Sequence, residues 1–412
     1  LGAPKGRQNA LLSPLRGSDS LGIPCPGPSA LSLPTFPGCF FRDSHMLLRT
    51  VPENHGVDAL ETLDARAWAE EEFGGAELGD MRREARLIDL ATALAQASFG
   101  TLPRSLPRPA SLKATYRLLA REEVTHAAVI APHLENTRES CCAPGEVLLI
   151  EDTTELDFTD HHALEMGWSS HPDDKGINVH STLAIRVLEW DSEGEPAVGL
   201  VGLFGQQCWS REGEPKTRGE SKAERLARSR ESARWASVLE ETGGPPDGVR
   251  WTLTFDREGD IYEAFETCLK EHCEFIIRAR EPRALMAAQG SLFDVVAAAP
   301  LLGTFSFPLR ARPGVRARTA ILEVRSTTVT IRGPYRIGGR LEPMTFQVVE
   351  AREIGTPNGV EPIHWILLTT WDCSTFDLAK RVVKSYSKRW LIEEYHKALK
   401  TGAGCEDIQL RT

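Results

Sequence analysis

The sequence predicts an α/β protein built on a mixed sheet with crossover helices, preceded by a helical region and interrupted by a β-rich insertion. Three observations carry this expectation. The apolar runs Val147-Leu148-Leu149-Ile150 and Trp251-Thr252-Leu253-Thr254-Phe255 lead into acids at Asp152 and Asp256, the pattern of buried strands that deliver polar side chains beyond their ends. Around them strand-like and helix-like periods alternate, as a sheet with crossover connections requires. Residues 303–350 instead carry short Thr-, Val- and Arg-rich runs with Gly and Pro turns and no helical period.

Taken in chain order, residues 1–45 are rich in Gly, Pro, Ser and Leu without periodicity and contain Pro24-Cys25-Pro26-Gly27-Pro28, so disorder is expected. They carry no secretory pattern, and Met46 is expected to lie nearer the native start, the leader being translated upstream sequence. Residues 46–130 read as a helical N-terminal domain, with Trp68 and Phe73 on a first helix and 78–97 on a second. Arg82, Arg83 and Arg86 cluster in the first turns of that second helix, a layout suited to DNA-backbone contacts, although surface arginines without partners are almost as common. A break at 103–109 follows, and the helical pattern resumes at 114–120.

Residues 131–302 give the first part of the sheet core: strands at 147–152, 179–188 and 197–203, a helix at 221–241, a strand at 251–256, an amphipathic helix at 261–272 and a strand at 274–280. Residues 303–360 form the β insertion. Residues 361–412 complete the core with a strand at 365–370 and a helix from about 376 to 400 that Ser374 can cap.

A chain of 412 residues exceeds one average domain and can bury a sizeable core, so two or three structural units are expected. Its nine cysteines are odd in number, scattered and free of any Cys-x-x-Cys pair, which points to reduced thiols in a cytoplasmic protein rather than a disulfide framework or zinc site. No apolar run approaches the ~20 residues of a membrane span. A formal net charge of −10 argues against a uniformly basic polyanion binder, yet charge is uneven: residues 310–340 hold eight arginines against Glu323 alone, and residues 216–234 seven bases against three acids. The first cluster, lacking counter-charges nearby in sequence, reads as a surface for a polyanion; the second is as well explained by solubility.

The last helix carries the chemistry. At roughly 100° per residue, Tyr386, Arg389, Glu393, Lys397 and Lys400 fall within an arc of about 80° on one face, opposite Leu391, Ile392, Tyr395 and Leu399. Taken alone, Arg389, Glu393 and Lys397 more often make a solvated salt-bridge ladder. Asp152 and Asp256 shift the balance, because two aspartates and one glutamate from three separate elements can hold two divalent ions, Mg²⁺ with Mn²⁺ as substitute, about 4 Å apart for phosphodiester chemistry.

The motifs Ile150-Glu151-Asp152-Thr153-Thr154, Asp256-Arg257-Glu258-Gly259-Asp260-Ile261 and 386–404, ending Lys400-Thr401-Gly402-Ala403-Gly404, resemble those of the DDE transposases of the insertion-sequence-four family, in order and spacing from about Trp68 onward. The resemblance implies an RNase H-like fold and a metal-binding triad of Asp152, Asp256 and Glu393. It implies that Tyr386, Arg389 and Lys400 hold DNA phosphates, with Lys397 as auxiliary, that Arg278 lies near the active site, and that Arg82, Arg83 and Arg86 recognise transposon-end DNA. Trp365 takes the place of the family tryptophan that stacks on a flipped base, which stabilises a DNA hairpin intermediate. The activity implied is cut-and-paste transposition by a synapsed homodimer acting on transposon ends and target DNA. Relatives continue past the signature helix into a C-terminal dimerisation region, expected to be absent from a chain ending at Thr412. Two other readings stay open: an inactive DNA-binding remnant or regulator, and a metal-dependent nuclease without strand transfer.

Other polar clusters read as structural. Asp157, Asp160, His161 and His162 occupy a polar loop, Glu258 and Asp260 suit a turn and helix cap, and His180 suits a satisfied core position.

Overall fold

A computed structural model describes residues 64–97, 101–161, 166–169, 173–212, 231–286, 290–311, 316–336 and 338–407. The expected leader, and the 213–230 part of the expected helix and basic cluster, lie outside them.

The N-terminal region is helical. Helix α1 (Ala65–Phe73) is capped by Asp64, whose carboxylate accepts the Arg66 and Ala67 N–H groups. Helix α2 (Met81–Gln96) is capped in the same way by Asp80. A short α3 (Leu102–Ser105) leads into α4 (Pro109–Leu119), which starts on a proline that has no N–H to leave unpaired. Helix α5 (His126–Cys141) escapes the sequence pattern because Pro132 reads as a breaker, yet the helix carries it inside. Trp68, Phe73, Leu78, Leu87, Ile88, Leu118 and Ile130 bury together between these helices.

The rest is a large mixed sheet with helices on its faces. Strands β1 (Gly145–Asp157), β2 (Gly176–Trp190) and β3 (Pro196–Trp209) form a meander. After α6 (Ser237–Thr242) come β4 (Val249–Phe255), α7 (Tyr262–Lys270), β5 (Glu274–Arg278) and α8 (Leu292–Ala297). Then follow β6 (Leu301–Leu309), β7 (Arg318–Ile331), a small ladder of β8 (Tyr335–Arg336) with β9 (Gly339–Arg340), β10 (Met344–Ile354) and β11 (His364–Thr369). Helices α9 (Phe376–Ser387) and α10 (Trp390–Lys397) end the described chain with a π turn at Ala398–Gly402 and a 3-10 turn at Cys405–Asp407.

Nine strands join in the order β3-β2-β1-β4-β5-β11-β10-β7-β6. Only β1 with β4 and β4 with β5 run parallel. The β-rich stretch therefore does not stand apart: β6, β7 and β10 continue the same sheet beyond β11. β1 is buried on both faces, so its side chains alternate between two apolar layers. Val147 and Leu149 pack with Phe255, Phe265 and Phe275, whereas Leu148 and Ile150 pack with Val382, Val383 and Ile392 of α9 and α10. Alternation then sends Glu151 toward the first layer and Asp152 toward the second, where the last helices lie.

Candidate active site

Asp152 follows five fully buried residues and is itself 16% exposed. Its Oδ1 accepts the Thr153 N–H at 2.9 Å, and its Oδ2 accepts from Arg389 Nη1 at 3.1 Å. Burial raises its carboxyl to about 6; Arg389 opposes that shift, while the charges of Asp256 and Glu393 add to it. Asp152 thus feels both other acids of the triad. β1 and β4 pair in register through Ile150 and Thr254, so Asp152 and Asp256 stand two residues past the same rung. Asp256 caps the turn Arg257–Gly259, its Oδ1 accepting the Glu258 N–H at 2.7 Å.

Glu393 lies in the first turn of α10 and accepts from Arg389 Nη2 at 2.7 Å. One guanidinium thus bridges Asp152 and Glu393. Burial alone would lower the Arg389 pKa, but Tyr386, Asp152 and Glu393 hold it above its ordinary value. The expected single helix is broken here: Lys388, Arg389, Leu391 and Ile392 N–H groups each bond the carbonyl three residues back, which separates α9 from α10. A second departure follows at the π turn, where the Ala403 N–H reaches the Ala398 carbonyl. The regular 100° step therefore does not run unbroken from Tyr386 to Lys400, although Arg389 stays within reach of both Tyr386 and Glu393.

Tyr386 ends up inside α9, 4% exposed, its hydroxyl pKa raised by burial against the pull of Arg389 and Arg278. It shares a side-chain hydrogen bond with Arg278, which burial shifts downward and whose Nη2 also donates to the His364 carbonyl at 3.1 Å. Trp365 is half-buried, edge-on to Tyr386 at 5.2 Å and to Phe307 at 5.7 Å. Lys397 is exposed, without an ion-pair partner among the described residues. Lys400, in the π turn, pairs with Glu406 at 3.6 Å, and the same Glu406 oxygen accepts the Asp157 N–H. The helix junction is clamped from behind by the β2–β3 turn, where Lys384 Nζ donates to the Glu193 carbonyl and Lys388 pairs with Glu195 at 2.6 Å. The cap of α9 is Thr375 rather than Ser374, its hydroxyl accepting the Leu378 N–H.

Beside Asp256 opens a cavity of about 580 Å³ walled by Arg257, Arg278, Arg280, His364 and Phe293. Cations around an acid suit a phosphate brought to that acid. The donor set of Asp152, Asp256 and Glu393, all carboxylates, fits a hard divalent cation in its chemistry. As placed, no three His, Cys, Asp or Glu side chains among the described residues close into a metal-holding group, and the Arg389 guanidinium takes the gap between two of the acids.

The other expected cations separate sharply. Arg82 is 91% exposed beside Asp80, and Arg86 pairs with Asp89. Arg83 turns inward: its Nη1 donates to the Leu78 carbonyl at 2.7 Å and pairs with Glu123, so it braces the fold. The arginine-rich stretch 310–340 is corrected in part, for Arg310, Arg316 and Arg332 are exposed with no ion pair among the described residues and Arg312 lies outside them. Arg318 pairs with Glu353, Arg325 with Glu323 and Glu350, and Arg336 with Glu263, while Arg340 stacks on Tyr335. Most of those acids come from β10 and α7, remote in sequence and adjacent in space. Asp260 closes the 3-10 turn Arg257–Gly259 rather than capping α7, and its buried carboxylate holds Arg283 and the Arg280 and Glu281 N–H groups. His180 is buried and bonded to Thr153 and Glu151, and His161 bonds the Glu406 carbonyl.

What the sequence reading missed is the basic face of α4, whose helix it expected only over 114–120. Lys113, Arg117 and Arg121 at four-residue steps, with Arg104 and Arg108 before them, are exposed without ion-pair partners among the described residues, and Tyr116 is exposed beside them. A signal existed: α4 contains no acid that could neutralise its bases.

Residues 65–124, which span α1 through α4, match the family model for transposase DNA-binding. That match gives the helical region a transposase-type DNA-binding role and makes DNA a partner of the chain. No helix among the described residues is long and apolar enough to cross a membrane.

Proposed function

We propose that the chain is a DNA transposase that cuts the phosphodiester bonds at transposon ends and joins the freed 3′ ends to target DNA. The observation that carries this reading is the convergence of Asp152 and Glu393 on Arg389, with Asp256 close enough to raise the Asp152 carboxyl, behind a transposase-type DNA-binding region. The order β3-β2-β1-β4-β5, with β2 antiparallel and β1, β4 and β5 parallel, supports the RNase H-like reading. Asp152, Asp256 and Glu393 would hold Mg²⁺ or Mn²⁺, whose bound form supplies an activated water or 3′-hydroxyl and neutralises charge at the scissile phosphate.

The chain's own residues then bind and orient DNA. The exposed bases of α4, with Arg82 and Arg86, grip the duplex backbone. Arg278, Arg389, Lys397 and Lys400 supply cations beside the acids, and the Tyr386 hydroxyl, bonded to Arg278, fixes that guanidinium. Trp365 offers a half-exposed ring at the start of β11, beside Tyr386, for an unstacked base; the hairpin intermediate follows from the family resemblance. Synapsis by a homodimer belongs to the same proposal.

Incubating the purified chain with transposon-end DNA and Mg²⁺ tests it. Hairpins and joined products are the expected result. Nicks without joining would replace it with a metal-dependent nuclease, and binding without cleavage with a DNA-binding regulator.

A further inference from the structure

The Arg389 guanidinium stands in the one gap where Asp152 and Glu393 approach each other, 3.1 Å from the first and 2.7 Å from the second. Its side chain is 17% exposed, Asp256 adds negative potential from the neighbouring strand end, and no three-donor group closes among the described residues. Each terminal nitrogen makes a charge-assisted hydrogen bond to a different carboxylate, whereas a single phosphate could accept both donors as a bidentate pair.

We infer that Arg389 is a stand-in cation: in the DNA-free protein it holds Asp152 and Glu393 together and keeps a divalent ion out of the gap, until a DNA phosphate draws it away. The inference rests on reading these acids as metal ligands and adds what controls their loading. Three carboxylates carry three negative charges, and one guanidinium offsets one. A divalent ion entering the same gap would meet Arg389 at contact distance, so cation replaces cation rather than joining it. The position of Arg389 allows the exchange. It sits at the junction of α9 and α10, where three-residue hydrogen bonds already interrupt the α pattern, and its side chain caps neither helix. Lys384 and Lys388, clamped on the β2–β3 turn, keep that junction in place while the side chain moves. A phosphate accepts the same fork of donors as a carboxylate pair and arrives with its own charge, so bound DNA would both release the acids and keep Arg389 satisfied. Metal loading then becomes coupled to DNA, and the acids stay unarmed in its absence.

The test is Mn²⁺ binding to the full chain without DNA, followed by calorimetry and by the electron paramagnetic resonance of free Mn²⁺. Arg389→Gln should bind Mn²⁺ about tenfold more tightly than wild type, a change of one decade in dissociation constant. Arg389→Lys, which keeps the charge but loses the fork, should fall between them and guards against a Gln variant that folds poorly. Adding Glu393→Gln to Arg389→Gln should erase the gain. If Arg389→Gln and Arg389→Lys bind Mn²⁺ no better than wild type while Glu393→Gln weakens binding, the stand-in role is wrong and the ligand assignment survives. If neither Asp152→Asn nor Glu393→Gln alters Mn²⁺ binding in any background, the ligand assignment itself fails and takes this inference with it.

Discussion

The α4 face and the α9–α10 junction use the same residue types in opposite states. On α4, Lys113 and Arg117 project without an ion-pair partner among the described residues, so a polyanion that arrives there displaces water and counterions. At the junction, Arg389 is already engaged by Asp152 and Glu393 and Lys388 by Glu195, so a polyanion must compete with carboxylates. The difference teaches that cation count does not mark a DNA surface. Affinity belongs where charge is unpaired, and chemistry where paired charge can be exchanged.

The largest expected effect breaks the junction alone. Glu393→Gln should lower end cleavage by on the order of 10⁴ or more, the scale of removing one member of a catalytic constellation, while end binding in a gel-shift titration stays near wild type. Retained cleavage would end the assignment. Loss of binding along with cleavage would erase the contrast between the two regions.

Next in size is a pH effect confined to the acid side. Asp152 has its carboxyl raised to about 6, chiefly by burial. An acid whose folded pKa exceeds its unfolded value of about 3.9 is protonated in both states at low pH and costs nothing there. As pH climbs from about 4 through 6 the folded chain must carry the buried charge, and stability falls by up to about 3 kcal/mol. Urea melts in chelator should therefore show wild type losing stability across that window relative to Asp152→Asn. Parallel curves for the two proteins would contradict the raised carboxyl.

Those two experiments bear on the part of the molecule most legible in sequence. Apolar runs such as 147–150 fix buried strands, and the acids that end them need partners, so Asp152 and Asp256 announce themselves. Arg389 and Glu393 are four apart, near enough for local spacing to pair them. Legibility ends where contact depends on tertiary folding. No Gly or Pro marks the break at Lys388 and Arg389, because it arises from tighter hydrogen bonding under packing against the sheet, and it carries Tyr386 into the interior. The arginines of β7 look unpaired because Glu350 and Glu353 lie on β10, a strand away in space and some thirty residues away in sequence. Pro132 hides α5 because propensity cannot see the neighbours that stabilise it.

A smaller effect sharpens the other side of the comparison. Arg117→Ala should weaken duplex binding about tenfold at low salt and reduce the slope of log affinity against log salt by about 1, the signature of one lost phosphate contact. Cleavage per bound complex should not change. An unaltered salt slope would remove α4 from the DNA surface.

The smallest effect separates two neighbouring arginines of one helix turn. Arg83 donates to the Leu78 carbonyl in a half-buried setting, so Arg83→Ala should cost about 1 kcal/mol of stability in a urea melt. DNA affinity, corrected for the folded fraction, should hold. Arg82 is almost wholly exposed, and Arg82→Ala should leave the melt unchanged while flattening the salt dependence of DNA binding no more than Arg117→Ala does. The two residues are adjacent in sequence and identical in type. Both find acceptors in the folded chain, Arg82 at Asp80 in open solvent and Arg83 at the Leu78 carbonyl in a half-buried setting, so their difference comes from burial. If both substitutions move the melt equally, that explanation fails.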